Sequence, residues 1–202
     1  MQDRGTPIQS SPAPRSRRRS AAGFSLVELL IVIIIIGIVT TMAIPSIDAD
    51  VYRINSAVRG LNAALMYSER QAISLQHDIR VSIDTAGRRL RIHEDKNNDG
   101  VIQNTERVTY TTLDSSIVFS RGAAPAMPFG GAAVNFTRTQ GGLPMIIFRR
   151  DGTASENGGF YIVPVKSRVR NIAKNVRAGE IIRSTGRVAW WSYSNSTWVR
   201  GN

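Results

Sequence analysis

Cysteine is missing from all 202 residues. Its absence excludes a disulfide framework, thiolate metal sites and a catalytic thiol. Any part of the chain outside the cytoplasm must therefore hold together by packing alone. Histidine is scarce: His77 and His93 stand at no spacing that suggests a metal site or a triad. No serine lies in a nucleophile-elbow context. The glycine pair in "FGGAA" (Phe129–Ala133) lacks the lysine that a phosphate loop requires. These gaps argue against an enzyme. Lysine is rare too, with only Lys96, Lys166 and Lys174 among 26 basic residues. Arginine suits phosphate recognition, but a GC-rich genome produces the same bias.

The chain is 42% hydrophobic and 20% charged, values of a globular protein. Its length suits one domain with an appendage. The net charge of +11 is unevenly spread. Residues 1–23 carry five Arg and one Asp, residues 24–137 ten basic and eleven acidic side chains, and residues 138–202 eleven basic and three acidic. The positive excess lies at the two ends.

Between Phe24 and Ile44 the only polar residues are Ser25, Glu28, Thr40 and Thr41. About 20 apolar residues in a helix span about 30 Å, the thickness of a bilayer core. Arg15, Arg17, Arg18 and Arg19 precede the run and should stay cytoplasmic, which places the bulk of the chain on the far side of the membrane. Three readings compete. A secretory signal could be cleaved near "TMA" (Thr41–Ala43), but the run exceeds the usual signal core and contains an acid. A plain anchor leaves Glu28 unexplained, because an ionisable residue within a membrane helix is costly and usually functional.

The third reading covers every feature. "AAGFSLVELLIVIIIIGIV" resembles the class III leader of the type IV pilin and type II secretion pseudopilin superfamily. The resemblance implies cleavage by a prepilin peptidase between Gly23 and Phe24, N-methylation of Phe24, and an assembly role for Glu28, the fifth residue of the mature chain. In that family the acid is thought to pair with the terminal amine of a neighbouring subunit. Such pairing makes a buried charge tolerable. The implied partners are other pilin or pseudopilin subunits, the peptidase and the bacterial inner membrane.

Pro45 should kink or interrupt the helix by removing a backbone donor. Beyond it, Val51, Ile54, Val58, Leu61, Leu65, Ala72 and Leu75 recur at helical spacing. One long helix is expected from Phe24 to about Gln76, roughly 80 Å at 1.5 Å per residue. The period then changes to two in "DIRVSID" and "RLRIH", joined by "TAGR". Further strands are expected in "RVTYTT", "SIVFS", "AAVNFT", "PMIIFRR", "GFYIVPV", "EIIRS" and "GRVAWW". Turns are expected at Asp151–Gly152 and Asn157–Gly158, and exposed loops at residues 121–131 and 139–144. The expected fold is α+β: a long N-terminal helix, membrane-spanning then amphipathic, packed on an antiparallel β-sheet head. The divisions are a leader at 1–23, a transmembrane helix at 24–44, its amphipathic continuation at 45–77 and a periplasmic head at 78–202. The acidic "DKNNDG…E" hairpin, "IIFRRDGTA" and "STGRVAWW" are similar to the GspH/FimT branch of minor pilins and pseudopilins. The resemblance implies a fibre subunit of a type II secretion or type IV pilus system.

"DKNNDGVIQNTE" fits the calcium-loop pattern D-x-[DN]-x-[DN]-G-x5-E. Asp95, Asn97 and Asp99 would supply side-chain oxygens to Ca2+, Val101 a carbonyl and Glu106 a bidentate carboxylate. Strand-like flanks argue against an EF-hand, and a polar hairpin tip uses the same residue types. Arg183, Arg187, Trp190, Trp191 and Arg200 interleave cations with aromatics. They could hold DNA, with Arg on phosphates and rings on bases. The alternative is that one Trp fills the core while the arginines solvate the surface.

Overall fold

The computed structural model describes residues 24–43 and 49–201. The chain divides into two compact units, Met1–Ile47 and Asp48–Asn202. In the first, α1 spans Leu26–Ala43. Gly23 and Pro45 lie outside the described residues, and so does the junction of the expected single long helix.

The second unit opens with α2, Ala49–Leu75. Ile54, Leu61, Leu65 and Ala72 form its buried stripe, as their spacing predicts. Ser68 joins them because its hydroxyl donates to Ala64 O at 2.8 Å, so no donor is left unpaired. Leu75, assigned to the stripe from sequence, is instead exposed. The helix stops at Gln76, whose left-handed backbone (φ 57°) turns the chain back.

Eleven strands follow: β1 Asp78–Asp84, β2 Arg89–Asp95, β3 Val108–Thr112, β4 Ile117–Phe119, β5 Val134–Asn135, β6 Arg138–Gln140, β7 Leu143–Phe148, β8 Gly158–Pro164, β9 Arg177–Ile181, β10 Val188–Ser194 and β11 Thr197–Arg200. A short helix, α3, covers Val165–Val169. The β1–β2 turn is closed by Asp84, which accepts from the Gly87 N–H at 2.7 Å and pairs with Arg89 at 3.0 Å.

The strands form the expected antiparallel β head, arranged as two sheets. The first has the order β3-β2-β1-β7-β6, and the second the order β11-β10-β9-β8-β4. β5 pairs with the same β8 edge as β4, further along the strand. Every assigned pairing is antiparallel.

All seven residues of β8 are buried. Phe160 and Ile162 enter the core beneath α2, with Ile79, Val81, Ile83, Leu90 and Ile146 of the first sheet. Tyr161 and Val163 point the other way, into a second cluster with Ala124, Met127, Val176 and Ala178. A strand covered on both faces reads as a continuous apolar run, as "GFYIV" does.

The structure departs from three expectations. Residues 121–131 are irregular but not simply exposed: Ala124 and Met127 are buried, and the Tyr161 hydroxyl accepts from Met127 N and donates to Gly130 O. Residues 139–144 are not a plain loop, since β6 pairs Arg138 with Met145 and Gln140 with Leu143. Asn157–Gly158 leads straight into β8, whereas Gly152 (φ 80°) does sit in a turn.

Candidate functional site

In the first unit, the Ser25 hydroxyl accepts from the Val27 N–H at 3.3 Å, and Ser25 O accepts from Leu29 N at 3.1 Å. Both satisfy amides that a helix start leaves open. Apolar side chains cover every face of α1, and Phe24 is 80% exposed. A helix apolar all round seeks a nonpolar surrounding. The Thr40 hydroxyl donates to Ile36 O at 2.7 Å and so adds little polarity. Glu28 projects from the first turn. Among the described residues, no side-chain partner meets it.

The acidic hairpin lies on the outer face of the first sheet. Because Ile79, Val81 and Ile83 face the core, Arg80 and Ser82 alternate outward beside Arg91 and His93 of β2. Residues 96–106 fold over this polar face and bury it. Asp95 is 0% exposed. Its Oδ2 accepts from Arg80 Nε at 2.5 Å and Gly100 N at 3.0 Å, and its Oδ1 from Asp99 N at 3.1 Å. Asp99 accepts from Val101 N at 2.7 Å and from the side-chain amides of Asn97 and Gln103. The Val101 bond above all holds its carboxyl below the ordinary carboxylate range.

Glu106 turns inward. Its side chain is 2% exposed, and it accepts from Lys96 N at 2.9 Å and Gln103 N at 3.1 Å while meeting His93 Nε2 at 2.7 Å. The His93 contact, followed by those amides, pulls its carboxyl down. The Gln140 amide donates to His93 Nδ1 at 3.1 Å and to Gly100 O at 2.9 Å. His93 Nε2 is therefore the protonated nitrogen, donating to Glu106.

This donor set does not fit Ca2+ as it stands. Calcium needs six to eight converging oxygens. Here Asp95, Asp99 and Glu106 are taken by protein donors, and the Arg80 guanidinium lies beneath Gly100 where positive charge is wanted. No cluster of three or more His, Asp or Glu suited to a metal occurs among the described residues. Sequence reading missed Arg80, His93 and Gln140. The only signal was that Arg80 and His93 share the non-core parity of β1 and β2.

The five residues assigned to nucleic acid do not converge on one spot. Arg187, Trp190 and Arg200 line a hollow of about 440 Å³ with Asn62, Met66, Glu69 and Arg70 of α2. An adjoining hollow of about 390 Å³ adds Arg59 and Arg177. Arg183 lies instead beside Arg149 and Asp151. The neighbouring tryptophans face opposite ways. Trp190 stacks edge-on to Phe160 at 5.7 Å and donates to Asn62 Oδ1 at 3.1 Å. Trp191 packs on the second cluster and donates to Glu180 at 3.0 Å. Both are half-buried, so neither fully fills a core. Arg59, Arg70 and Arg177 were missed because they are far apart in sequence; burial holds the Arg177 guanidinium below its ordinary value.

Residues 18–44 match the prokaryotic N-terminal methylation motif. The match covers 27 of the 202 residues, those that carry the apolar run. No curated protein sequence matches the chain. Among solved structures, the chain is similar to the minor pseudopilin EpsH from the type 2 secretion system of Vibrio cholerae. The identity is 15%, the coverage is 73% of this chain and 95% of that one, and the TM-score is 0.43. It is also similar to the type IV minor pilin FimU of Pseudomonas aeruginosa, at 19% identity, 72% and 92% coverage and a TM-score of 0.44.

Proposed function

We propose that the chain is a minor pilin or pseudopilin of the GspH/FimT type, a structural subunit of a type II secretion or type IV pilus fibre rather than an enzyme. The methylation motif over residues 18–44 carries the reading. A prepilin peptidase cuts between Gly23 and Phe24, Phe24 becomes the methylated N-terminus, and the apolar segment anchors the subunit in the inner membrane with its head in the periplasm. Among the described residues, no helix is long and apolar enough to cross a membrane. α1 has 18 residues, about 27 Å at 1.5 Å per residue, and the apolar sequence continues at Phe24 and Ile44 on either side. The apolar sequence from Phe24 to Ile44, rather than α1 alone, has the length of a spanning segment.

Glu28 supports the assembly step. An acid on an otherwise apolar helix destabilises the lone subunit in lipid. It becomes favourable when the terminal amine of a neighbouring Phe24 supplies the opposite charge. Mass spectrometry of the mature N-terminus tests the reading. A methylated Phe24 is expected, and Gly23→Ala should leave a longer precursor in the membrane. A mature chain beginning at Ile44 would refute it.

A second reading, a minor pilin that captures DNA for uptake, is favoured by one observation. Arg59, Arg70, Arg177, Arg187 and Arg200 gather around Trp190 along α2 and β10. A gel shift with duplex and single-stranded DNA checks it. Binding that weakens steeply with salt supports phosphate contacts, and binding indifferent to salt rules them out.

A further inference from the structure

The head unit has a basic pole where the chain enters it, at the first turns of α2. Three contacts bring the pole together. Lys166 Nζ stands 3.9 Å from Asp50 Oδ1, Arg177 Nη2 donates to Asn55 Oδ1 at 3.2 Å, and Arg53 shares a groove with Asp114. The β1–β2 turn reaches the same end, where Arg88 donates to Ser115 O at 2.6 Å and lines a hollow with Arg168. Among the described residues, the acids at this pole are Asp50, beside Lys166, Asp84, paired with Arg89, and Asp114, held by Ser116. Against these three stand Arg53, Arg88, Arg89, Lys166, Arg168, Arg170 and Arg177, so the pole is net positive.

Residues 165–172 give the pole a second property. Ser167 is buried, and the segment is fixed by backbone bonds from Arg170 N to Lys166 O at 3.1 Å and from Ile172 N to Ser167 O at 3.0 Å. It packs over the Gly122 turn, which approaches Ile172 O and Val163. Although held in place, it directs Val169 (78% exposed) and Ile172 (40%) away from the protein. Lys166, Arg168 and Arg170 flank them. Apolar side chains among cations, on a rigid turn, suit the interface of an anionic bilayer, where cations meet headgroups and short apolar groups enter the acyl boundary.

We propose that this pole, Arg53, Arg88, Lys166, Arg168 and Arg170 around Val169 and Ile172, rests on an anionic phospholipid surface. The inference depends on the membrane-anchor reading above, because α2 begins only a few residues beyond the apolar segment. The contact would hold the unassembled subunit's head against the bilayer in one orientation. Leaving the membrane for a fibre would break it.

The full chain is reconstituted in vesicles of phosphatidylcholine, alone or mixed with phosphatidylglycerol, some containing brominated acyl chains. With no native cysteine, Val169→Cys accepts a single fluorophore, and Ser184→Cys, beside Arg183 and Asn157, is the comparison. Bromolipid should quench the label at position 169 only when phosphatidylglycerol is present, and high salt should reverse it. Combining Arg168→Glu with Arg170→Glu should cut the quenched fraction by roughly an order of magnitude. The label at 184 should stay unquenched throughout. Equal fluorescence at 169 in both lipid mixtures overturns the proposal, and so does equal quenching at both positions. Flotation after an alkaline carbonate wash separates the two readings. Chains that float but show no quenching at 169 refute the surface contact alone, whereas chains that do not float refute the anchor and the contact with it.

Discussion

Arg80 Nε meets the buried Asp95 Oδ2 at 2.5 Å, inside a loop whose sequence spells a calcium site. The guanidinium provides the positive charge that the pattern assigns to a metal. Removing one partner of a buried pair leaves the other uncompensated, at a cost of about 3–5 kcal/mol. Arg80→Ala should therefore lower stability by about that amount, read from the midpoint of urea unfolding. Calcium titration of the wild type should give no saturable heat. Binding that Asp99→Ala abolishes would show that the loop can release its internal donors to a metal.

Glu106 ties the far end of the same loop to His93, Lys96 N and Gln103 N. Its folded pKa is lowered from 4.5, chiefly by His93. The sign follows from linkage: the stabilisation is fully present above the unfolded carboxylate value and is lost as pH falls through the folded one. Amide exchange at Lys96 and Gln103, corrected for intrinsic rates, should stay slow down to about pH 4.5 and quicken below it. In Glu106→Gln both amides should be less protected at neutral pH, and the acid-dependent step should disappear.

Sequence reading went furthest where one residue decides one direction. The alternation in "DIRVSID" and "RLRIH" placed β1 and β2, whose register runs from Asp78↔Asp95 to Asp84↔Arg89. It went less far where structure depends on distant partners. β6 is three residues long and exists through its pairing with β7. β11 lies at the C-terminal end, where Trp198 and Arg200 resemble a basic tail more than a strand. α3 carries no apolar period of its own. At the candidate sites the N-terminal motif is local and was legible as a unit. The calcium pattern was legible too, but Arg80, which fills the loop's need for a cation, lies fifteen residues before Asp95.

Tyr161 makes a further test of the second cluster. Its hydroxyl accepts from Met127 N at 2.7 Å and donates to Gly130 O at 2.6 Å, holding residues 121–131 over the sheet. Burial raises the phenol's pKa, so it stays neutral and able to donate. Tyr161→Phe should cost about 1–3 kcal/mol, because the buried Met127 N–H and the part-buried Gly130 carbonyl both lose their partner. Proteolysis within residues 121–131 should accelerate, while a loop without tertiary ties would be cut at an unchanged rate.

Two glycines give opposite expectations for the same substitution. At Gly60, on α2, an added Cβ meets nothing within 4 Å. Gly60→Ala should then stabilise by about 0.4–1 kcal/mol, by restricting the unfolded chain and favouring the helix. At Gly159, on β8, a Cβ would lie 2.6 Å from Gly179 O and 2.8 Å from the Phe129 ring. Relief requires β8 and β9 to separate, since a backbone oxygen cannot rotate away as a side chain could. Gly159→Ala should destabilise by about 1–3 kcal/mol or more, and thermal unfolding of the two variants should shift in opposite directions. If Gly159→Ala were neutral, β9 could not lie as close to β8 as the pairing of Phe160 with Gly179 requires.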